Sequence, residues 1–201
     1  MRVVIATNNQ NKLREFSELA GEEPWLELQL APDGFNPKET GTTFVENARI
    51  KAKAAALASG MTSVADDSGL IIEALNGRPG IKSARYIEGT DADRSNKILE
   101  ELQGVPESKR QAAFMCAMVV CTPDGEVAYS SIRAWEGTIA MQARGENGFG
   151  YDPIFLPNNR QVTAAELSPD EKNKLSHRAQ AWRQVVQYLK KNVEFSVKVE
   201  T

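Results

Sequence analysis

The sequence is poor in the residues that build zinc and thiol chemistry, with two cysteines and a single histidine, His177, among 201 residues. No Cys/His spacing of a zinc site can be written from them. Cys116 and Cys121 stand in the apolar run AAFMCAMVVC, where an odd separation puts them on opposite faces of a strand. They read as buried, inert thiols rather than a bridge. A thiol catalyst needs a base beside it, and His177 is far away in sequence. Long apolar runs are missing as well. The opening MRVVIATNNQNK turns polar after only about four apolar residues, too few for a signal peptide. Nothing later approaches the roughly 20 apolar residues of a membrane span. Charge of one sign is lacking too: the net charge is −3 and the pI about 5.4, which argues against a general polyanion binder and leaves room for a local basic pocket. The expectation is a cytoplasmic protein without a nucleic-acid or membrane partner.

What is present is enough apolar material, 41% of residues, to fill the core of one domain or two tightly joined lobes. Residues 2–6, RVVIA, predict a buried strand opening into the polar loop TNNQNK. A helix follows from about Asn11 to Ala20, with Leu13, Phe16 and Ala20 on one face and Gly21 as its stop. LELQL alternates like a strand, and APDGFNPKETG is a loop. Thr43-x-x-Glu46 is a capping box opening a helix that Gly60 ends, and the alanines along it imply close packing. SVADD predicts a short strand ending in carboxylates, LIIEAL a second one, and NGRPG a turn. Asp91 or Asp93 can cap a helix that runs through Leu102 and ends at Gly104. AAFMCAMVVC and EVAYSSIRAWEGTIA pair across TPDG as a long hairpin. Ser168-Pro169-Asp170-Glu171 opens another helix, with a break favoured at Ser176 before a second one beginning His177-Arg178. Leu175, Ala179, Trp182, Val186 and Leu189 form the apolar stripe there. The tail after about Asn192, VEFSVKVET, alternates like an added edge strand over 193–201. Strands and helices in this mixture predict an α/β or α+β fold with a mixed sheet.

Four constellations can carry chemistry. The first is Thr7, Asn8, Asn9, Gln10, Asn11 and Lys12, a polar loop between a buried strand and a helix start. Backbone N–H groups and the positive end of the helix dipole favour an anion there, and Lys12 adds a mobile charge. A solvated strand-to-helix turn is the plain alternative, and the glycines of a P-loop are absent. The second is Glu39 with Asp66 and Asp67, adjacent acids that face opposite ways if extended. Such carboxylates suit a hard cation completed by phosphate oxygens and water, or they cap a DDSG turn. The third is the glycine-rich GENGFGYDP segment, where Phe149 offers a stacking face and glycine lets a planar ligand approach the backbone. A tight loop with tucked aromatics is equally economical. The fourth is Lys172 with Ser176, His177 and Arg178, whose donors can meet phosphate and a purine carbonyl or line a solvated helix face.

No one of these is specific, but together ATNNQNKxxEF, ETGTTFxENAxxKA, ADDSGL, PGIxSARY, GFGYDPIF and AAELSxxEKNxLSHRAQA follow a known order. Over about residues 3 to 190 the sequence resembles the inosine-triphosphate pyrophosphatase family, also called the Ham1-like or XTP/dITP pyrophosphatases. The resemblance implies an elongated α/β fold with a long mixed sheet, two lobes and a nucleotide cleft, assembled as a homodimer. It implies Mg²⁺-dependent hydrolysis of ITP, dITP and XTP to the monophosphate and pyrophosphate. It makes Thr7 to Lys12 the triphosphate loop, Glu39 and Asp67 the magnesium residues, and Asp67 the proton acceptor for the attacking water. Asp66, Asn9 and Lys51 support them, Asn47 shares a helix face with Lys51, and Ser68 is a further substrate contact. Phe149, Gly150, Tyr151 and Asp152 surround the base, with Lys172, His177 and Arg178 completing its pocket. A Maf-like pyrophosphatase is a rival reading, but its early Ser-Pro-Arg-Arg segment is absent. A catalytically silent nucleotide sensor is another, against which the intact Lys12, Glu39, Lys51 and Asp67 set argues.

Overall fold

Alternation and capping chemistry explain where the elements lie. The computed structural model describes residues 1–32 and 34–199, with side chains up to Asn192. Strands β1 (Arg2–Ile5), β2 (Glu27–Leu30), β3 (Ser63–Ile72), β4 (Gln111–Cys121), β5 (Val127–Ile139) and β6 (Phe155–Pro157) form one sheet in the order β2-β1-β3-β4-β5-β6. Strand β1 runs parallel to both β2 and β3, while β6 is antiparallel to β5, so the sheet is mixed. The helices are α1 (Gln10–Ala20), α2 (Phe44–Ser59), α3 (Asp91–Glu101), α4 (Pro169–Leu175) and α5 (His177–Val199). This is the expected α/β class. None of the helices, among the described residues, is long and apolar enough to cross a membrane.

The capping boxes Thr43/Glu46 and Ser168/Glu171 both form, and Gly60 ends α2 in the left-handed conformation at φ 65°. The break between α4 and α5 falls at Ser176, whose backbone is extended. Leu175 therefore packs with one core cluster while Ala179, Trp182, Val186 and Leu189 belong to another. Helix α3 differs from expectation at its start. The cap is Thr90, whose hydroxyl accepts the Asp93 N–H while the Asp93 carboxylate accepts the Thr90 N–H, a reciprocal box that Asp91 or Asp93 alone would not provide.

Two strand readings also change. SVADD and the first three residues of LIIEAL are one continuous strand of 10 residues, β3, with Ser68 and Gly69 inside it, which removes the DDSG turn as an alternative, while Glu73–Leu75 form a short 3-10 turn. Buried carboxylates do not end a strand when cations from packed helices match them. The tail is not an edge strand either: α5 continues through Val199, and residues 200 and 201 lie outside the described residues. Extending an existing helix requires no new nucleation, which lets an alternating segment continue it.

By chain segment the molecule falls into two compact units. The first comprises Met1–Asp67, Cys116–Arg133 and Arg178–Thr201. Strict alternation there sends Val3, Ile5, Val64, Cys116, Met118 and Val120 into one core, which also holds Phe16 of α1 and Trp182 of α5. Phe16 and Trp182 meet edge to face, with ring centroids 5.2 Å apart. Val4, Ala6, Ala65, Ala117, Val119 and Cys121 face the other way, against Ala48, Ala52, Ala55 and Ala56 of α2. Cys116 and Cys121 are thus free thiols buried on opposite faces, as their spacing implied. The second unit, Ser68–Met115 with Ala134–His177, is built on an aromatic core of Phe114, Trp135, Tyr151 and Phe155 with Leu70, Ile72, Ile98 and Leu102.

Candidate active site

The alternation that sorts the first unit's core also splits the two aspartates of β3. Val64 lies on the α1/α5 face and Ala65 on the α2 face, so Asp66 follows the former and Asp67 the latter. Asp66 is 1% exposed. Its carboxylate meets Lys12 Nζ of α1 at 2.8 Å and the Arg178 guanidinium of α5 at 3.3 Å. Arg178 also donates to the Glu15 carboxylate of α1, giving a buried cluster of two cations and two anions. Burial opposes ionisation of Asp66, but Lys12, Arg178 and Lys51 outweigh it and hold its carboxyl far below the ordinary value.

On the other face, Asp67 meets α2. Its Oδ2 accepts from the Asn47 amide at 3.2 Å, and its Oδ1 lies 3.5 Å from Lys51 Nζ. The same ammonium is 2.8 Å from Glu39, so one lysine spans the two carboxylates expected to serve a metal. Here the pKa moves in the opposite direction. Burial pushes the Asp67 carboxyl up, with Glu39 and Asp66 adding to it, against the pull of Lys51 and Lys12. Burial likewise opposes the charge on Lys51, but Asp66, Asp67 and Glu39 prevail and raise its pKa.

Asn47 has a second task. Its Oδ1 accepts the Gly41 N–H at 2.9 Å, and the Glu46 carboxylate accepts the Thr42 N–H at 2.7 Å, so the segment carrying Glu39 is tied to the first turn of α2. The fit leaves no room for a side chain at position 41: a Cβ there would stand 2.6 Å from Glu46 Cβ and 2.7 Å from Asn47 Oδ1. Gly41→Ala is expected to lower stability by about 1–3 kcal/mol, read as a lower urea midpoint with an unchanged slope.

In the loop of residues 7–12, Thr7 Oγ1 accepts the Asn9 N–H, and Asn9 Oδ1 caps α1 by accepting the N–H groups of Asn11 and Lys12 at 3.0 and 3.2 Å. The Asn8 amide donates to the Phe35 carbonyl. Two of the helix-start donors expected to face an anion are therefore occupied by a side chain, while Asn8, Asn9 and Gln10 remain exposed.

The second unit gathers the glycine-rich loop. Asp152, 2% exposed, accepts the Phe149 N–H at 2.8 Å and the Lys172 ammonium at 2.6 Å. Lys172 Nζ lies 4.9 Å from the centre of the Phe149 ring, a cation–π contact. Asn147 donates to the Ala165 and Leu167 carbonyls, anchoring the loop further. The Tyr151 hydroxyl donates to the Ser83 carbonyl at 2.8 Å, and burial pushes its pKa up. It is a core tie more than an exposed surface. His177 is buried and stacks on Phe114, centroids 4.9 Å apart and planes 7° apart. Ser68 follows Asp67 on β3 and is half-buried.

The expected residues thus form two sets. Lys12, Glu39, Lys51, Asp66 and Asp67 come together in the first unit, while Phe149, Asp152 and Lys172 come together in the second. Arg178 belongs to the first unit, in the first turn of α5, with its guanidinium on Glu15 and Asp66. Glu15 was not assigned from sequence, although it stands inside ATNNQNKxxEF beside the buried Phe16; an acid on the apolar side of a helix was the available signal. Among the described residues no group of three or more His, Cys, Asp or Glu is placed to hold a metal ion. The two-carboxylate set is instead an all-oxygen donor pair of the kind a hard cation shares with phosphate and water.

Comparison with known proteins agrees with this architecture. A model described as the Ham1 family matches residues 3–188. The protein of Leifsonia xyli subsp. xyli named dITP/XTP pyrophosphatase is 45% identical over 193 residues, covering 94% of this chain and 96% of that protein. Its namesake from Bacillus subtilis is 46% identical over 190 residues, covering 92% and 96%. The structure of a HAM1 protein from Coxiella burnetii superposes with a TM-score of 0.84 at 43% identity, covering 95% of this chain and 99% of that one. The Staphylococcus aureus Ham1 protein gives 0.83 at 38% identity, covering 96% and 100%.

Proposed function

This chain belongs to the Ham1 family, and from that premise we propose that it is a pyrophosphatase for non-standard purine nucleotides. Its substrates are dITP or ITP and XTP or dXTP, its products the monophosphate and pyrophosphate, and its effect is to keep these bases out of DNA and RNA. The relatives' shared name, dITP/XTP pyrophosphatase, supports the substrate class. The observation that carries hydrolysis is the Lys51 ammonium between Glu39 and Asp67.

A triphosphate repels nucleophiles, so its charge must be screened where water attacks. Lys12 and Lys51 supply that screening. Glu39 and Asp67 would hold Mg²⁺, which when bound withdraws charge from the phosphate oxygens. Asp67 Oδ2 is engaged by Asn47 while Oδ1 faces Lys51, and the two contacts orient the carboxylate to receive the proton of the attacking water. The water oxygen bonds to the α-phosphorus, the bond from that phosphorus to the α–β bridging oxygen breaks, and pyrophosphate departs. Arg178 and Lys12 keep Asp66 ionised, which fixes Lys12 against the middle of β3.

Base choice follows from hydrogen-bond polarity. Hypoxanthine and xanthine present an acceptor at O6 and a donor at N1, whereas adenine presents the reverse. Donors facing O6, for which His177 and the backbone at Ser176 are our assignments, leave adenine mispaired at a discrimination of about 10⁴. Phe149, held by Asp152 and Lys172, supplies the stacking face. We place the activity in the cytoplasm on a homodimer, for which light scattering showing a single chain would be the contrary result.

Pyrophosphate release across ITP, dITP, XTP, ATP, GTP and dTTP, with and without Mg²⁺, tests the whole reading. Release from the first three, dependent on Mg²⁺, is expected. Equal rates on ATP and ITP would remove the sanitation role, and no release from any would leave a nucleotide-binding protein.

A further inference from the structure

We propose that Asp91 and Ser95 of α3 are positioning residues for the loop that presents Phe149, and that they set the enzyme's affinity for the nucleobase. The proposal rests on the reading of Phe149 as the stacking residue. Both polar groups of Gly150 are engaged by one helix face: its N–H donates to Asp91 Oδ2 at 2.8 Å, and its carbonyl accepts from Ser95 Oγ at 3.2 Å. Asp91 and Ser95 are four residues apart and so share that face. The Asp91 carboxylate is itself aimed, since Arg94 bonds its other oxygen at 2.6 Å and the Gly89 carbonyl at 2.7 Å. Ser95 is 2% exposed, and a helical serine this buried has taken its hydrogen bond away from its own helix.

The geometry of the loop explains why such anchors matter. Gly150 is left-handed at φ 63° with open space where a Cβ would stand, so glycine serves its backbone conformation rather than a close contact. Gly148 is left-handed too, at φ 74°. A loop with such glycines samples many conformations unless its peptides are tied down. Asp152 holds the Phe149 N–H from one side, and α3 holds the next residue from the other. With both in place, Phe149 is presented in one conformation. With the α3 anchors gone, only a fraction of molecules presents the ring, and apparent affinity falls by that fraction.

The test compares Asp91→Ala, Asp91→Asn, Ser95→Ala and Phe149→Ala in the full-length enzyme. It reads KM and kcat for ITP together with hydrogen exchange of the segment holding Gly150. Asp91→Ala and Ser95→Ala are expected to raise KM about tenfold with kcat within about twofold, and to speed Gly150 exchange. Asp91→Asn retains an acceptor oxygen and is expected to restore KM and slow exchange, which a merely structural loss would not do. Unchanged KM and exchange in both alanine variants, or a fall in kcat at constant KM, would overturn the positioning role. Should Asp91→Ala fail to fold, Ser95→Ala carries the same comparison. Phe149→Ala separates the two ideas: if it leaves KM unchanged, the stacking assignment fails, while Gly150 exchange still decides whether α3 holds the loop.

Discussion

Asp67→Asn is expected to lower kcat by about 10²–10⁴-fold, the usual contribution of a positioned general base, while nucleotide still binds. The amide can accept the Asn47 hydrogen bond at Oδ, so geometry persists while the proton acceptor is lost. The stability effect has a definite sign. Burial raises the folded pKa of Asp67 above its ordinary value. Its contribution to stability is therefore complete below the unfolded value of about 3.9 and is lost as pH rises through the folded one. At pH 7 its charge opposes folding, so the asparagine variant should melt no lower than the parent. Steady-state kinetics and a melting curve test both halves. Near-normal turnover would remove Asp67 from the mechanism, and a sharply lowered melting temperature would mark it as structural.

Asp66→Asn has the opposite signature one residue away. The carboxylate is fully buried against Lys12 and Arg178, and removing it strands cations whose desolvation it offsets. Breaking a buried pair in this way costs about 3–5 kcal/mol, equivalent to a drop on the order of 10 °C in a chain of this size. Because the Asp66 pKa is depressed in the fold, its contribution is full above about pH 3.9 and disappears as pH falls toward the folded value. Urea unfolding at pH 7 and pH 3 should show the parent losing only a small part of this increment, because pH 3 still lies above the folded value, and the variant lacking it at both. A parent and variant of equal stability at pH 7 would show that Glu15 alone satisfies the cluster.

The sequence made many of these positions legible but not their partnerships. Lys12 stood out beside a helix start, and Asp66 and Asp67 after an apolar run with Glu39 as a further carboxylate, whereas Lys51 was assigned only through the family resemblance. Asp66 and Asp67 were expected to diverge because a strand alternates, and they do. Continuity of β3 was missed because paired carboxylates look like a strand end until the helices that neutralise them are known. The roles of Glu15 and Arg178 could not be read because their separation in sequence is 163 residues, a contact no local pattern encodes. Tyr151 and His177 read as ligand-facing groups by their chemistry, and only the fold shows that the Tyr151 hydroxyl also ties to the Ser83 carbonyl and that the His177 ring also stacks on Phe114.

By itself, then, the sequence determined the elements and their faces. Capping boxes, left-handed glycines and apolar periodicity are short-range properties, set by residues within a turn or two of each other. Only the tertiary structure decided which helix covers each face of β3. It gave Asp66 to α1 and α5 and Asp67 to α2, making one aspartate a buried counterion and leaving its neighbour with a raised pKa beside Lys51 and Glu39. The physical reason is that a carboxylate's pKa and role depend on burial and on charges within a few ångströms, and those are assembled from distant segments only when the helices pack on the sheet.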